Sequence, residues 1–222
     1  DVCRAHGVQL MIAYYRRFFP VVIKMKELLE DGRIGELVRA RAELADFYTP
    51  RADGERAWLT KANTAGGGFM TDAGTHRLDL FAHFLGDVQE VSAFADTQTF
   101  DFSVDDAASV IMRFERGVHA SGLFNWNIGS PIDEFELCGT GGRILSRNLG
   151  KGELEVLVDG ETAETFELPA PDITHLGLVE HFVACLQSGT PNALPGEAGM
   201  QATRMTEAAY QSSAERRVVR LA

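Results

Sequence analysis

A long series of short segments with period-two alternation begins at Val88, and it constrains the fold of this chain more than any other feature. Apolar and polar residues alternate within the segments, and turn signals such as Arg116-Gly117 and Asp159-Gly160 separate them. Such a series predicts successive strands with tight connections, for which a meandering antiparallel sheet is the simplest arrangement. The predicted strands are 88–95, 108–114, 118–126, 132–137, 143–146, 154–158 and 162–168.

Helical patterns flank this series of strands. The segment from Pro20 to Gly32 has helical spacing, and proline suits a first helical turn because its missing N–H would lack a partner anyway. Segments 175–187 and 196–214 are also predicted helices, which we expect to cover one face of the sheet. The sequence therefore predicts the α+β class, with a large, mainly antiparallel open sheet and helices packed on one face, rather than a doubly wound βα repeat.

Two further strands are predicted before the main series. Residues 37–47 form one of them, and residues 8–14 are a short continuous apolar run bounded by Gly7 and by Arg16-Arg17. A run of that kind is typical of a buried, possibly parallel strand. With 222 residues, the chain has enough length for one main domain.

The acidic charge balance excludes two classes of partner. Lys and Arg total 21 and Asp and Glu total 32, so the net charge of -11 repels phosphate backbones and anionic lipid heads. We expect no nucleic-acid or membrane partner. Because no apolar run approaches the roughly 20 residues that span a bilayer, and the N-terminus lacks the order of a signal peptide, we expect a cytoplasmic protein. Cys3, Cys138 and Cys185 lie far apart, which predicts reduced, mostly buried thiols.

The segment from Gly66 to Asp79 concentrates the residues that can carry chemistry. If it is helical, Asp72 and His76 share a face because they are four residues apart, and Asp79 lies on much the same side. An imidazole titrates near neutral pH, so His76 can accept a proton, and a neighbouring carboxylate can fix its tautomer and raise its basicity. We therefore predict that Asp72 and His76 form a proton-transfer pair.

These residues also have structural interpretations. Asp72 can cap a helix that begins near Gly74, and the glycines at 66–68 can allow the backbone to approach another element closely. Asp72, His76, Asp79 and His83 have a spacing that permits a metal site on one helix. Ligands from a single helix rarely close a four-coordinate shell, however, so we predict no metal.

The predicted sheet carries Phe114, Leu123, Phe124 and Trp126 among its polar residues. A sheet covered on one side leaves its other side to water or to another subunit. We interpret these residues as part of a self-association face, which predicts a homo-oligomer, either a dimer or a tetramer. The alternative is that the aromatic residues belong to an ordinary core.

Residues 7–18 contain a Tyr-x-Arg-Arg-Phe-like segment after an apolar run, and residues 66–79 contain Gly-Gly-Gly followed by Asp-x-Gly-x-His-x-x-Asp. Together with residues 207–212, which look like a closing helix, they resemble the Gfo/Idh/MocA family, named for glucose-fructose oxidoreductase, inositol dehydrogenase and rhizopine catabolism. The resemblance implies that residues 1–14 end a missing nucleotide-binding domain. It implies that residues 15–222 form the substrate, catalytic and oligomerisation domain.

The activity that the resemblance implies is oxidation of a secondary alcohol on a sugar, inositol or related polyol. The hydride passes to NAD or NADP in the full-length parent, while His76 accepts the proton with Asp72 beside it. The implied substrate-binding residues are Tyr14, Arg17, Trp58, Gly67 and Asp79, and the possible cofactor contacts are Tyr14 and Arg16.

The sequence also departs from the family. Members carry a Gly-x-Gly-x-x-Gly turn and a Glu-Lys-Pro segment whose lysine serves the active site, and neither occurs in this sequence. The glycine-rich turns at 66–68 and 139–142 do not lie in a βαβ unit with an acidic residue about 20 positions on. We therefore expect the chain alone to be inactive and not to hold the cofactor tightly. The alternative is a non-catalytic module that binds a polyol or assembles through its sheet.

Overall fold

The computed structural model of the protein describes residues 1–48 and 54–221. Its fold is α+β with one large, mostly antiparallel open sheet, as the sequence predicts. The strands described are β1 (Leu37–Phe47), β2 (Val88–Asp96), β3 (Ala107–Phe114), β4 (His119–Asn125), β5 (Asn127–Gly139), β6 (Gly142–Asn148), β7 (Glu153–Val158), β8 (Glu161–Glu167) and β9 (Val219–Arg220). The α-helices described are α1 (Val2–Ala5), α2 (Pro20–Glu30), α3 (Ala62–Ala65), α4 (Thr75–Leu85), α5 (Leu176–Ser188) and α6 (Gly196–Glu215).

The strand order is β8-β7-β6-β5-β1-β4-β3-β2-β9, so the predicted uninterrupted meander is wrong at one place. β1 inserts between β4 and β5, pairing parallel with β4 and antiparallel with β5. Ala42 is the register partner of both Gly122 and Phe135. The alternation in β1 reveals a strand but not its neighbours, because partner choice depends on contacts between distant parts of the chain.

The core lies between one face of the sheet and helices α2, α4 and α6. Phe81 and Phe84 of α4 stack near Phe135 of β5, with ring centroids 5.3 and 5.6 Å apart. Helix α6 is tied to β2 by a hydrogen bond in which the Ala93 N–H donates to Ser212 Oγ over 3.0 Å. These contacts fix the start of α4, which carries the candidate chemistry, against the centre of the sheet.

Two predicted elements differ from the structure. Residues 8–14 form no strand in the described chain, and Val8 and Leu10 are exposed. The Ile12 N–H instead donates to the Leu194 carbonyl over 2.9 Å. Helix α5 does not cover the sheet either; Phe18 packs against His181 of α5, with ring centroids 5.1 Å apart. The apolar residues of both segments predict that these segments pack against the protein, but they do not identify the surface against which each one packs.

The open face of the sheet corrects a third prediction. Phe114, Phe124 and Trp126 are buried core residues, and only Leu123 of the predicted set is exposed. The open face instead presents Phe94 and Ile111 beside Leu123. It also carries ion pairs along the central strands, including Arg41–Glu134 at 2.8 Å and Arg143–Glu136 at 2.9 Å.

The three cysteines are free thiols among the described residues. Cys185 is buried, but Cys3 and Cys138 are partly exposed, so the prediction of mostly buried thiols holds for only one of them. Within the part of the chain that the structure describes, no helix combines the length and apolarity needed to cross a membrane.

Candidate active site

One turn of π-helix, Met70–Gly74, runs directly into α4 and shapes the candidate site. Asp72 lies in this wide turn and His76 in the first turn of α4, and both side chains line one cavity of about 360 Å³. Wide helical turns of this kind occur frequently at functional sites. The predicted juxtaposition of Asp72 and His76 at one cavity is therefore present in the structure.

The other walls of the cavity are aromatic and charged. The aromatic lining residues are Tyr15, Tyr48, Phe69 and Trp126, and the charged ones besides Asp72 are Arg16, Asp46 and Arg56. Apolar walls with a few polar groups are typical of small-molecule sites. A groove of about 490 Å³ also lies beside α1 and the start of α6, but it contains no histidine beside a carboxylate among its described lining residues.

Asp105 and Tyr210 hold the backbone that leads into the π turn, and the sequence interpretation assigned neither of them a role. Asp105 Oδ1 accepts hydrogen bonds from the Gly68 N–H over 2.8 Å and from the Tyr210 hydroxyl over 2.5 Å, while Asp105 Oδ2 accepts one from the Met70 N–H over 3.3 Å. Burial beside Asp105 raises the pKa of the Tyr210 phenol. The only sequence signal for this anchor is the position of Tyr210 in the segment that resembles a closing helix.

The glycines before the π turn allow close approach. A Cβ atom on Gly68 would overlap the Asp105 backbone, and one on Gly67 would overlap Thr71 Oγ1 and the Tyr210 hydroxyl. Gly67, a predicted substrate contact, therefore has protein atoms against its α-carbon. The structural interpretation holds for Gly67 and Gly68, where a side chain would overlap these atoms, but not for Gly66, where a Cβ atom meets nothing within 4 Å.

His76 is surrounded by aromatic rings and by cations. The rings of Tyr14 and Tyr15 lie edge-on to the imidazole, with centroids 5.6 and 5.2 Å away, and His76 Nδ1 is buried with no hydrogen-bond partner among the described residues. Burial, together with the nearby Arg16, Arg77 and His175, lowers the pKa of His76 to about 3. The expectation that a carboxylate raises the basicity of His76 is therefore wrong for this chain as it stands.

Asp72 does not bond to His76. Its one hydrogen bond among the described residues comes from Arg56, over 3.4 Å. Burial raises the pKa of Asp72, and Arg56 opposes that shift. The interpretation of Asp72 as a helix cap is also wrong, because the π turn continues into α4 and Gly74 precedes the helix with no side-chain cap.

The low pKa of His76 predicts a pH-dependent loss of stability. Between the ordinary histidine pKa of 6.5 and the folded value of about 3, the unfolded chain binds a proton that the folded chain excludes. Stability therefore falls as pH falls through this window, by about 2 kcal/mol between about pH 7 and about pH 5. Urea unfolding of the protein and of its His76→Gln variant at about pH 7 and about pH 5 measures this effect. We expect the free energy of unfolding of the protein, relative to that of the variant, to be about 2 kcal/mol lower at the lower pH. A stability difference independent of pH would contradict this assignment.

The remaining predicted site residues have partners within the protein. Arg17 donates to both oxygens of Asp79, over 2.9 and 2.6 Å, and the Asp79 side chain is only 1% exposed. Tyr14 Oη and Thr75 Oγ1 share a hydrogen bond of 3.0 Å. Neither Arg17 nor Asp79 lines the cavity, and Trp58, which is 50% exposed, is also absent from its described lining. The Arg17–Asp79 pair instead ties the turn at Tyr15–Phe18 to α4.

The helical spacing of Asp72, His76, Asp79 and His83 does not produce a metal-binding arrangement. Arg17 engages both carboxylate oxygens of Asp79. Within residues 1–48 and 54–221, no group of three or more His, Cys, Asp or Glu side chains is arranged to hold a metal ion.

Comparison with known proteins places this geometry in context. A sequence model described as the GFO/IDH/MocA C-terminal domain matches residues 22–145. The trans-1,2-dihydrobenzene-1,2-diol dehydrogenase of Mus musculus is 34% identical over 72% of this chain and 46% of its own length. The inositol 2-dehydrogenase of Rhizobium meliloti is 26% identical over 96% of this chain and 66% of its own length.

The fold has close structural counterparts. The chain superimposes with a TM-score of 0.85 on levoglucosan dehydrogenase in complex with NADH and levoglucosan, at 22% identity, covering 97% of this chain and 67% of the other. At that identity the likeness establishes the fold alone. The chain spans 45%, 46% and 66% of the length of three of its curated relatives.

Proposed function

The chain belongs to the Gfo/Idh/MocA family of oxidoreductases, and from that premise we propose that it is the substrate-binding and catalytic half of a dehydrogenase. In this proposal a full-length protein oxidises a secondary alcohol on a sugar, inositol or related polyol. The observation that carries the proposal is that His76 and Asp72, both from the family-like motif, line one cavity with aromatic walls.

His76 is the proposed proton acceptor. Its low pKa keeps the imidazole neutral at neutral pH, so a lone pair is available to a substrate hydroxyl. The same low pKa makes His76 a weak base. When substrate and cofactor are bound, they would have to offset the positive electrostatic potential that Arg16 and Arg77 produce at His76. Asp72 is the proposed second polar contact, because its carboxylate lines the same cavity and its one hydrogen bond among the described residues, from Arg56, is 3.4 Å long.

The aromatic residues of the cavity suit a polyol. Tyr48 and Trp126 lie with ring centroids 5.1 Å apart, and Phe69 continues the surface at 5.2 Å from Trp126. Aromatic faces pack against the C–H side of a sugar ring while polar groups bind its hydroxyls. Removal of water by these rings would also strengthen the hydrogen bonds made to the reacting hydroxyl.

The proposed cofactor is NAD or NADP, which would accept the hydride from the substrate carbon. The residues described here do not fit a dinucleotide by themselves. Thr71, Tyr210 and Asp105 lie against Gly67 and Gly68, so these two glycines have no space for a pyrophosphate. We propose that a dinucleotide-binding domain joined to residues 1–14 supplies the cofactor in the parent protein, and that this chain alone is inactive.

Self-association is part of the proposal. The open sheet face presents Phe94, Ile111 and Leu123 to solvent, and exposed apolar groups on a broad sheet favour burial against a second subunit. We propose a homo-oligomer formed through this face. The same observation supports the second candidate function, a module that assembles or binds polyols without catalysis.

The two candidates differ in one measurement. A dehydrogenase requires that the full-length protein reduce NAD or NADP when a polyol is added, and that the reduction depend on His76. Absence of polyol-dependent reduction across sugars and inositols, in a protein that binds the cofactor, would favour the non-catalytic module.

A further inference from the structure

Arg16 is the cationic lining residue of the cavity that has no ion pair among the described residues. Arg56 pairs with Asp72, Arg77 with Asp133, and Arg17 with Asp79. The Arg16 side chain, by contrast, makes no ion pair or hydrogen bond with any described residue, and its Nε is buried without a partner. It nevertheless lines the cavity that contains His76.

Aromatic contacts and burial hold Arg16 in this position. Its guanidinium carbon lies 5.4 Å from the centroid of the Tyr15 ring and 5.6 Å from that of Phe19. Burial lowers the pKa of Arg16, and the nearby Arg77 lowers it further. Since a buried charge without a partner is unfavourable, the folded chain retains a cation that an anion in the cavity would neutralise.

Two neighbouring donors are unsatisfied as well. Arg77 is fully buried, and only its Nη2 has a partner among the described residues, namely Asp133. Its Nε and Nη1 have none. Arg16 Nε and two donor atoms of Arg77 are therefore buried near His76 without an acceptor among the described residues.

We propose that the substrate carries a carboxylate, as an aldonate or uronate does, and that Arg16 binds this group. This inference rests on the proposed function, because it names the substrate class of the same cavity. A single negative charge fits better than a phosphate dianion, since Asp46 and Asp72 line the same cavity and would repel the second charge. Arg16 presents donors in a planar fork that matches a carboxylate.

Binding of such an anion would also act on His76. The groups that face the imidazole are the rings of Tyr14 and Tyr15 and the cations Arg16 and Arg77, with His175 beside Tyr15. A carboxylate on Arg16 offsets part of this positive field. The basicity of His76 would then rise when substrate is bound, which is when a proton acceptor is needed.

The test compares glucuronate with glucose, which differ in the carboxylate, as ligands of the chain. Binding is followed by NMR through the resonances of His76, which the His76→Gln variant assigns. We expect glucuronate to bind about tenfold or more tightly than glucose, the scale of one charge-assisted hydrogen bond. Arg16→Gln should remove this preference, whereas Arg204→Gln, at an exposed position of α6, should retain it.

Other outcomes would overturn the inference. If glucose and glucuronate bound with equal affinity and both perturbed His76, the proposal of a carboxylate-bearing substrate would be rejected. The proposal that this cavity binds a polyol would stand. If pyrophosphate bound through Arg16 and glucuronate did not, Arg16 would be assigned to a cofactor diphosphate instead. If none of these ligands perturbed His76 in a chain whose fold is verified by circular dichroism, both the inference and the proposed function would fail.

Discussion

Replacement of His76 by alanine in the full-length protein is expected to lower kcat for polyol oxidation by about 100-fold or more, the usual scale for loss of a general base. His76 lines the cavity with a neutral imidazole that has no hydrogen-bond partner among the described residues for Nδ1. Alanine leaves no group to accept the hydroxyl proton. The measurement is the initial rate of NADH or NADPH formation at saturating substrate.

The matched control for this experiment is His6→Ala. His6 is exposed, and among the described residues its ring bonds to the Val2 carbonyl of α1. We expect the kcat of this variant to remain near that of the unmodified protein. A His76→Ala enzyme with an unchanged kcat would remove His76 from the reaction, and a change confined to KM would assign it to binding alone.

The second large effect concerns stability. Asp79→Ala is expected to lower the free energy of unfolding by about 3 kcal/mol or more, because it leaves the Arg17 guanidinium buried without its partner. The two side chains are 14% and 1% exposed and share two hydrogen bonds. Burial raises the pKa of Asp79 and Arg17 opposes that shift; the resulting pKa of about 6 leaves the carboxylate mostly ionised at neutral pH. Urea unfolding of the chain at neutral pH measures the loss.

An exposed ion pair provides the comparison. Lys24 and Glu27 of α2 lie 3.2 Å apart on the surface, and Glu27→Ala should cost no more than about 1 kcal/mol. The double variant Arg17→Ala/Asp79→Ala should recover part of the loss, since it removes the uncompensated charge. If Asp79→Ala cost as little as Glu27→Ala, the pair would not be the anchor between the turn at Tyr15–Phe18 and α4.

The sequence predicted local elements well, and the reason is physical. Strand β1 has the predicted bounds, Leu37–Phe47, because alternation and burial of Ala40 and Ala42 are local properties of the chain. Its place between β4 and β5 was not predicted, since that choice depends on side chains far away in sequence. The apolar residues of α5 were predicted to pack on the sheet, but Val179 and Leu186 are exposed. This prediction failed for the same reason, because the packing partner of a helix also depends on residues far away in sequence.

The candidate site shows the same limit. The four-residue spacing of Asp72 and His76 predicted that they share a face, and in the structure both line one cavity, while their role as a proton-transfer pair stays a prediction. The electrostatics of His76 were not predictable, because they arise from Arg16 on a separate turn and from the direction of the Arg77 side chain. The roles of Asp105 and Tyr210 depend on a contact between residues 105 positions apart, which no local pattern reveals.

The most direct test of the account is a crystal structure of the full-length protein with a polyol that it oxidises. We predict a secondary hydroxyl oxygen within about 2.6–3.2 Å of a ring nitrogen of His76, with the sugar ring against Tyr48 and Trp126. A polyol bound in a different cavity, or one in this cavity with no hydroxyl near His76, would contradict the account.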